Sequence, residues 1–204
     1  MIALRYSLFL MVGLLIVSCG SGGVTNPDES AAKTVSNVRA DSSVGWVYYS
    51  LDGDSVVPSA QADTDHWDVR MAYLKCCGQT QQIDVLLNSG TSGPGSTRGA
   101  MVSSRFENLR VVPVGIQLRS DDTARSARIV PPNVIGSSVM FVYDIQTHTL
   151  RPSPDRCLVI QTSRGNMYKF QFMSIYQDAV SAPTLDTPLG FYHFRYQRAT
   201  NGAW

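Results

Sequence analysis

The sequence predicts a single all-β domain behind an N-terminal export signal and a flexible tether. Short apolar or alternating runs are separated by Gly, Pro, Asn and Asp turn signals, as in antiparallel sheets. No long stretch shows the apolar period of a capped helix. An apolar run from Leu8 to Val17 follows Arg5. We therefore expect one antiparallel domain of packed or partly rolled sheets, without internal repeats.

The first element, residues 1–18, has the features of a lipoprotein signal peptide. Its apolar run is too short to span a bilayer as a mature helix, and it closes on Ile16-Val17-Ser18-Cys19. A small residue before Cys19 suits cleavage at that bond, after which Cys19 carries the lipid, palmitate included, and holds the protein to a membrane. The alternative is a plain secretory signal with an incidental cysteine.

Residues 19–44 are the next element, and we expect a lipidated flexible tether because GSGGVTNPDESAAK is poor in apolar residues.

Removing the first 18 of the 204 residues leaves 186 and takes the formal net charge from +1 to 0. Binding to nucleic acid needs a clustered basic surface, so this balance argues against a nucleic-acid partner. The remaining residues, 45–204, are enough for one domain with one core.

Eight strands are predicted in the domain. Glycine-rich residues 89–99 lack the lysine and the helix of a phosphate-binding loop, so they are read as a surface loop. Turn signals lie at residues 52–54, 89–99, 131–132, 151–155 and 163–166. The predicted strands are Gly45 to Ser50, His66 to Leu74, Ile83 to Leu87, Val111 to Leu118, Ser138 to Tyr143, Cys157 to Thr162, Met167 to Tyr176 and Phe191 to Gln197.

Three cysteines remain after Cys19: Cys76, Cys77 and Cys157. Neighbouring cysteines bridge each other only with strain, so the sequence leaves open either buried free thiols or one bridge involving Cys157. Adjacent sulfurs lack the intervening loop with which two cysteines hold one tetrahedral ion, which argues against a metal site at Cys76 and Cys77.

Several phrases together resemble the HmuY family of haem-binding lipoproteins. They are WVYYSLDGDSVV at 46–57, DHWDVRMAYL at 65–74, SGPGSTRGA at 92–100, the stretch 143–176 and GFYHFRY at 190–196. The resemblance covers about Trp46 to Tyr196. It implies an all-β haemophore without enzymatic activity that binds haem b non-covalently and delivers it to a TonB-dependent outer-membrane receptor.

The axial haem ligands of the HmuY family have no direct match in this sequence. Members hold the iron with two histidines or with paired methionines, and the alignment places one ligand near Asp144 and the other between Leu118 and Val134. Residues 118–134 contain no His, Met, Cys or Tyr. The sequence therefore departs from the pattern of the family at both positions.

Strand geometry supplies two alternative ligand pairs. If the strand from Ser138 pairs with the strand from Cys157, and that strand pairs with the one from Met167, then Met140 and Met167 lie about 10 Å apart at one end of a sheet. Flexible thioethers could then converge on a haem iron. The alternative pair is His148 with Met173 at the opposite end. Each of these residues also has an ordinary reading, as a core methionine or a turn histidine.

A haem slot also needs apolar walls and cations at its rim. The candidate walls are Phe141, Tyr143 and Tyr168, with Phe170 and Phe172 behind them, and the candidate rim cations are Arg119, Arg151 and Arg156. His66 and His193 are read as structural.

The sequence leaves two functions open and argues against a third. A haem-binding outer-membrane lipoprotein, exposed on the cell surface, is the first. A surface lipoprotein of the same fold that binds a glycan, peptide or protein instead of haem is the second. An enzyme is disfavoured, because Asp65, His66, Asp68 and Asp84 form no recognisable catalytic motif. The first acids after Cys19 are Asp28 and Glu29, which leaves the periplasmic face open as a location.

Overall fold

The computed structural model describes residues 31–76, 80–124, 126–132 and 140–204. Within these ranges the chain forms eleven strands and two single turns of 3-10 helix, at Ser59–Gln61 and Gln177–Ala179. The strands are β1 (Lys33–Arg39), β2 (Val47–Ser50), β3 (Ser55–Val57), β4 (Val69–Cys76), β5 (Thr80–Leu87), β6 (Arg98–Val102), β7 (Phe141–Asp144), β8 (Thr149–Pro152), β9 (Cys157–Gln161), β10 (Met167–Tyr176) and β11 (Leu189–Arg198).

The strands form three antiparallel sheets. A five-stranded sheet has the order β1-β11-β10-β9-β6, a four-stranded sheet has the order β3-β2-β4-β5, and β7 pairs with β8 in a separate hairpin. The two larger sheets bury their inner faces in one core, so the predicted all-β fold of packed layers is confirmed. No helix among the described residues has both the length and the apolar character needed to cross a membrane.

Aromatic side chains fill the core between the sheets. On β10, Tyr168, Phe170 and Phe172 point inward, as the two-residue alternation predicts. Phe170 stacks on Phe194 of β11 with ring centroids 4.9 Å apart, and Phe194 meets Tyr49 of the other sheet at 5.0 Å. These contacts join the two layers directly.

The other face of β10 is covered as well. Lys169 and Gln171 are buried there, and Met167 is half-buried, because the segment after β6 crosses the outer face of the five-stranded sheet. A second apolar cluster forms beneath that segment around Phe106, Leu109 and Cys157. Met167, the first residue of β10, therefore borders a covered face, whereas Met173 near the other end of the strand is exposed.

Residues 33–39 correct the predicted tether. They form β1, which pairs with β11, and Val38 and Ala40 are buried in the core. The sequence KTVSNVR is mostly polar because β1 is the edge strand, with one neighbour and mostly exposed side chains. Residues 33–39 therefore belong to the folded domain and not to the predicted tether.

Residues 111–118 correct a predicted strand. In place of a strand they form turns, with a single bridge between Val111 and Ala203. Pro113 and Gly115 interrupt the apolar run, since proline has no N–H to donate and Gly115 adopts a positive φ of 73°.

The strand pairing predicted for β7 was also wrong. β9 pairs with β10, as predicted, but β7 pairs with β8 and not with β9. β6 takes the other edge of β9. The strands β1, β3, β6 and β8 were not predicted, because each is short or polar.

Candidate functional site

The structure separates the first predicted ligand pair. Met140 is fully buried in the core between the two large sheets. Met167 packs on the opposite face of the five-stranded sheet, in the cluster around Phe106 and Cys157. Because the sheet lies between the two sulfurs, Met140 and Met167 cannot bind one iron together.

The alternative pair is not joined either. His148 is exposed in the turn between β7 and β8, where its Nδ1 lies 2.6 Å from the hydroxyl of Tyr143 and its φ is 53°. Met173 is 49% exposed near the far end of β10 and lines a surface groove. His148 is not among the described residues that line this groove.

The groove beside Met173 has a volume of about 400 Å³. Strand β8 of the β7–β8 hairpin forms one wall, and the backbone N–H of Leu150 joins it to β10 by donating to the hydroxyl of Tyr176, 2.9 Å away. The segment after β10 forms the other wall. The lining residues are Leu150, Arg151, Pro152, Pro154, Met173, Ser174, Tyr176, Ala179, Val180, Ser181 and Pro183.

This groove is lined mostly by apolar side chains and contains one cation. Leu150, Val180 and three prolines supply aliphatic surface, and Met173 supplies an accessible thioether. Arg151 is the charged residue of the lining and its side chain is exposed. Partial burial raises the pKa of Tyr176, so its hydroxyl stays protonated at neutral pH. The groove therefore suits a ligand with an apolar body, an anionic edge and an affinity for soft donors.

The predicted pocket walls lie elsewhere. Phe141 and Tyr168 are core residues: Phe141 packs on Phe172 with ring centroids 5.1 Å apart, and the hydroxyl of Tyr168 donates to Asp52 Oδ1 at 2.9 Å. Tyr143 is half-buried against His148. Of the predicted rim cations Arg151 lines the groove, whereas the Arg119 guanidinium binds the backbone carbonyls of Ala127 and Arg128.

Sequence reasoning missed most of the groove lining. The turn predicted at residues 151–155 contains Pro152 and Pro154, and the sequence predicts no role for Leu150, Val180 or Pro183. The available signal was the density of proline and aliphatic residues on two segments that flank Met173, but the sequence does not show that these segments meet.

Three buried titratable groups are engaged in structural contacts. Asp84 forms an ion pair with Arg128, and Asp68 accepts a hydrogen bond from the backbone N–H of Leu51 at 2.8 Å. His193 lies with Nε2 2.9 Å from the carbonyl oxygen of Tyr176, and burial lowers its pKa. Among the described residues, no group of three or more His, Cys, Asp or Glu has an arrangement that could hold a metal ion.

Cys157 is a free, fully buried thiol whose pKa burial raises to about 11. At neutral pH it is protonated and therefore a poor nucleophile. Cys77 and the side chain of Cys76 lie outside the described residues, as do residues 1–30, which contain the predicted signal peptide and Cys19.

Comparison with known proteins gives a likeness of fold. No family model and no curated protein matches the chain. Among solved structures, a "putative lipoprotein" of Bacteroides fragilis is 16% identical with a TM-score of 0.51, over 85% of this chain and 94% of that one. A "putative HmuY_like heme binding protein" of Bacteroides vulgatus is 14% identical with a TM-score of 0.47, over 85% and 95%. The apo HmuY analogue of Tannerella forsythia is 12% identical with a TM-score of 0.44, over 84% and 96%. At such identities the first likeness shows a common fold and nothing finer.

Proposed function

We propose that this chain is a non-enzymatic binding lipoprotein that takes haem in the groove between the β7–β8 hairpin and the segment after β10. The observation that carries the proposal is the accessible thioether of Met173 in an apolar groove of about 400 Å³ with one cation at its edge. Grooves of this size accommodate cofactor-sized ligands. The resemblance to the HmuY family supports haem as the occupant.

The residues of the groove fit the chemistry of haem. The aliphatic and proline side chains can cover an apolar macrocycle, and Arg151 can pair with a propionate. Met173 offers a neutral sulfur, which favours ferrous over ferric iron. Neutral thioethers lose no proton on ligation, so binding through Met173 should depend little on pH.

The biological role that we propose is haem acquisition. Lipid on Cys19 would hold the protein at the outer membrane, on the cell surface, and bound haem would pass to a TonB-dependent receptor. The apolar run before Cys19 and the family resemblance support this part of the proposal. The periplasmic face of the same membrane is the alternative location.

A matched pair of substitutions tests the haem site. The full mature chain, residues 19–204 with Cys19→Ser, is titrated with hemin under air and then under dithionite. Met173→Leu and Met167→Leu both remove a sulfur and keep the bulk, but only Met173 lines the groove. We expect saturable binding with a sharp Soret band, a weakening of about tenfold or more in Met173→Leu, and no change in Met167→Leu.

Two results would contradict the proposal. Saturable binding that is equal in all three chains would exclude Met173 as a haem ligand, and with it the observation on which the proposal rests. A broad spectrum like that of free hemin, without saturation, would mean that the chain does not bind haem, and the second candidate function would then apply.

The second candidate is a surface lipoprotein that binds a glycan, and a polar groove of about 730 Å³ favours it. This groove pairs the half-buried ring of Phe191 with Asp41, Asp186 and several hydroxyls, the combination of flat apolar face and hydrogen-bonding groups that fits a sugar. Arg39 lies over the Phe191 ring, 5.9 Å from its centroid, and donates to Asp41 Oδ2 at 2.7 Å. A glycan array that compares the wild-type chain with Phe191→Ala tests this candidate, which requires that bound glycans be lost in the variant.

A further inference from the structure

Strand β10 has a β-bulge at Met173. Phe172 lies opposite Phe194 of β11, and the next pair along the strands is Ser174 with His193. Two steps along β10 therefore match one step along β11, and Met173 is the extra residue. A bulge bends its strand and redirects the side chains around it. This bulge coincides with the residue that presents its thioether to the groove.

Strand β1 has a second bulge on the other side of β11. The register of β1 with β11 shifts between Val35 and Val38, so two residues of β1 span the single position of His193. Asn37 lies in this bulge and adopts a positive φ of 56°, which asparagine tolerates better than most residues. Both bulges therefore lie beside the same residue, His193.

His193 connects the two bulged strands by hydrogen bonds. Its Nε2 lies 2.9 Å from the carbonyl oxygen of Tyr176, which can only accept, so Nε2 carries the proton and donates. The other nitrogen, Nδ1, then accepts from the backbone N–H of Asn37 at 3.4 Å. His193 is buried and burial lowers its pKa, so the neutral ring that this arrangement needs is the form present at pH 7.

The side chain of Asn37 holds the segment after β10, residues 177–183, which forms one wall of the groove. Its Nδ2 donates to Asp178 Oδ1 at 2.9 Å, and its Oδ1 accepts from the backbone N–H of Asp178 at 2.8 Å. Ala179 and Val180 follow directly and line the groove. The wall segment is thus attached to β1 immediately before the residues that face a ligand.

The wall segment has a backbone conformation that needs support. Asp178 has a φ of 57° and Ala179 a φ of 50°, and alanine is uncommon in this region. Such conformations persist where surrounding contacts hold them, and they concentrate at ligand sites. The backbone N–H of Gln177 donates to the carbonyl of Pro188 at 3.0 Å, on the β10 side of this pair. The two bonds from Asn37 support the pair itself, so their loss should let the wall segment move.

We propose that Asn37 is a positioning residue for the groove beside Met173: from the bulge of β1 it holds the wall segment in place, and β1 thereby controls how fast a bound ligand leaves. The inference rests on the proposed haem site for the identity of the ligand. A loosened wall opens a second exit and leaves Met173 unchanged, so the effect belongs mainly to dissociation and less to association.

Hydrogen exchange of the haem-free chain tests the attachment of the wall segment. Asn37→Gly removes the side chain and tolerates the positive φ, and it is introduced into the full mature chain carrying Cys19→Ser. Asn201→Gly is the matched control, since Asn201 has a φ of 53° in an exposed turn and is not among the described residues that line the groove. We expect exchange in residues 177–182 to be at least about threefold faster in Asn37→Gly only. Equal exchange in the two variants would overturn the proposal.

An exchange of the two side chains tests whether this attachment governs release. Each chain is loaded with hemin and mixed with excess apomyoglobin, which takes up the haem that dissociates. Asn37→Asp sets two carboxylates against each other and should speed release at least about threefold. Adding Asp178→Asn to it restores one donor and one acceptor, so the double variant should return to the parent rate. A general loss of stability would not be reversed in this way.

The outcomes separate this inference from the haem proposal. Release at the parent rate in Asn37→Asp, or fast release that Asp178→Asn does not reverse, would overturn the role of Asn37 although haem binds. A parent chain that does not bind hemin would contradict the haem proposal instead. Hydrogen exchange of the same variants would then decide alone whether Asn37 holds the wall segment.

Discussion

Asp68 lies in an environment unlike that of an ordinary surface carboxylate. It is 4% exposed, and it accepts hydrogen bonds from the backbone N–H of Leu51 at 2.8 Å and from the hydroxyl of Thr97 at 3.2 Å. Burial is the largest influence on it and raises its pKa to about 6, although both hydrogen bonds act in the opposite direction. Asp68 thus joins the turn after β2 to the loop before β6, and in doing so it carries a charge in a poorly solvated site.

This raised pKa predicts how stability varies with pH. The folded state holds the Asp68 proton more tightly than the unfolded state, so the contribution of Asp68 is most favourable below about pH 4 and is lost as the pH rises through about 6. Between those values the wild-type chain should lose about 3 kcal/mol relative to Asp68→Asn, measured as the difference in their free energies of unfolding in urea. Both chains contain His193, so its titration affects both free energies of unfolding equally and cancels in their difference.

Asp144→Asn is the control for this experiment. Backbone hydrogen bonds from Gln146 and Thr147 lower the pKa of Asp144, so its titration lies below the window in which Asp68 changes charge. The difference between Asp144→Asn and the wild type should therefore be constant from pH 5 to pH 7. A constant difference for Asp68→Asn as well would show that Asp68 titrates normally.

At the scale of the strand, β10 shows how much of the fold could be predicted from the sequence. Its bounds and its inward face of aromatic residues follow from period-two alternation alone. What could not be predicted is the cover on its other face, because the covering segment is irregular and its contacts join residues about 60 positions apart. The same limit applies to the candidate site, since Leu150 and Val180 meet beside Met173 only through tertiary packing.

Lys169 attaches the covering segment to β10. Its ammonium donates to the carbonyl oxygens of Phe106 and Leu109, at 2.9 and 3.0 Å, and lies 4.2 Å from the centroid of the Phe106 ring. Lys169→Met keeps the length of the side chain but leaves two buried carbonyls without these donors. We expect a loss of about 2 kcal/mol in the free energy of unfolding and faster hydrogen exchange in residues 103–110.

Lys33→Met is the matched control for Lys169. Lys33 is half-exposed and pairs with Asp54 at 2.8 Å, a contact that solvent screens. Its substitution should change the free energy of unfolding by less than about 1 kcal/mol. If the two substitutions had equal effects, the carbonyl contacts of Lys169 would not be what holds the covering segment in place.

At the scale of the whole molecule, the two ends of the five-stranded sheet differ in character. One end receives the N-terminal segment at Lys33 and carries the apolar turn at Val114. The other end carries the groove beside Tyr176 and the β7–β8 hairpin. If the proposed lipid on Cys19 holds the first end near a membrane, the groove lies at the end away from it, where a second protein could reach a bound ligand.

β1 determines whether the N-terminal segment is only a tether or also a part of the domain. A chain that begins at residue 32 keeps β1, whereas one that begins at residue 41 loses it together with Val38 and Ala40, which are buried. Relative to the mature chain, residues 19–204, the first truncation should leave the free energy of unfolding unchanged, because residues 19–31 are poor in apolar side chains. The second should lose at least about 3 kcal/mol, since it exposes the edge of β11 and removes buried apolar surface. Urea unfolding of both chains measures this, and hydrogen exchange should localise the loss to residues 189–198. Equal stability of the two truncated chains would mean that the pairing of β1 with β11 contributes nothing, and that the domain begins at β2.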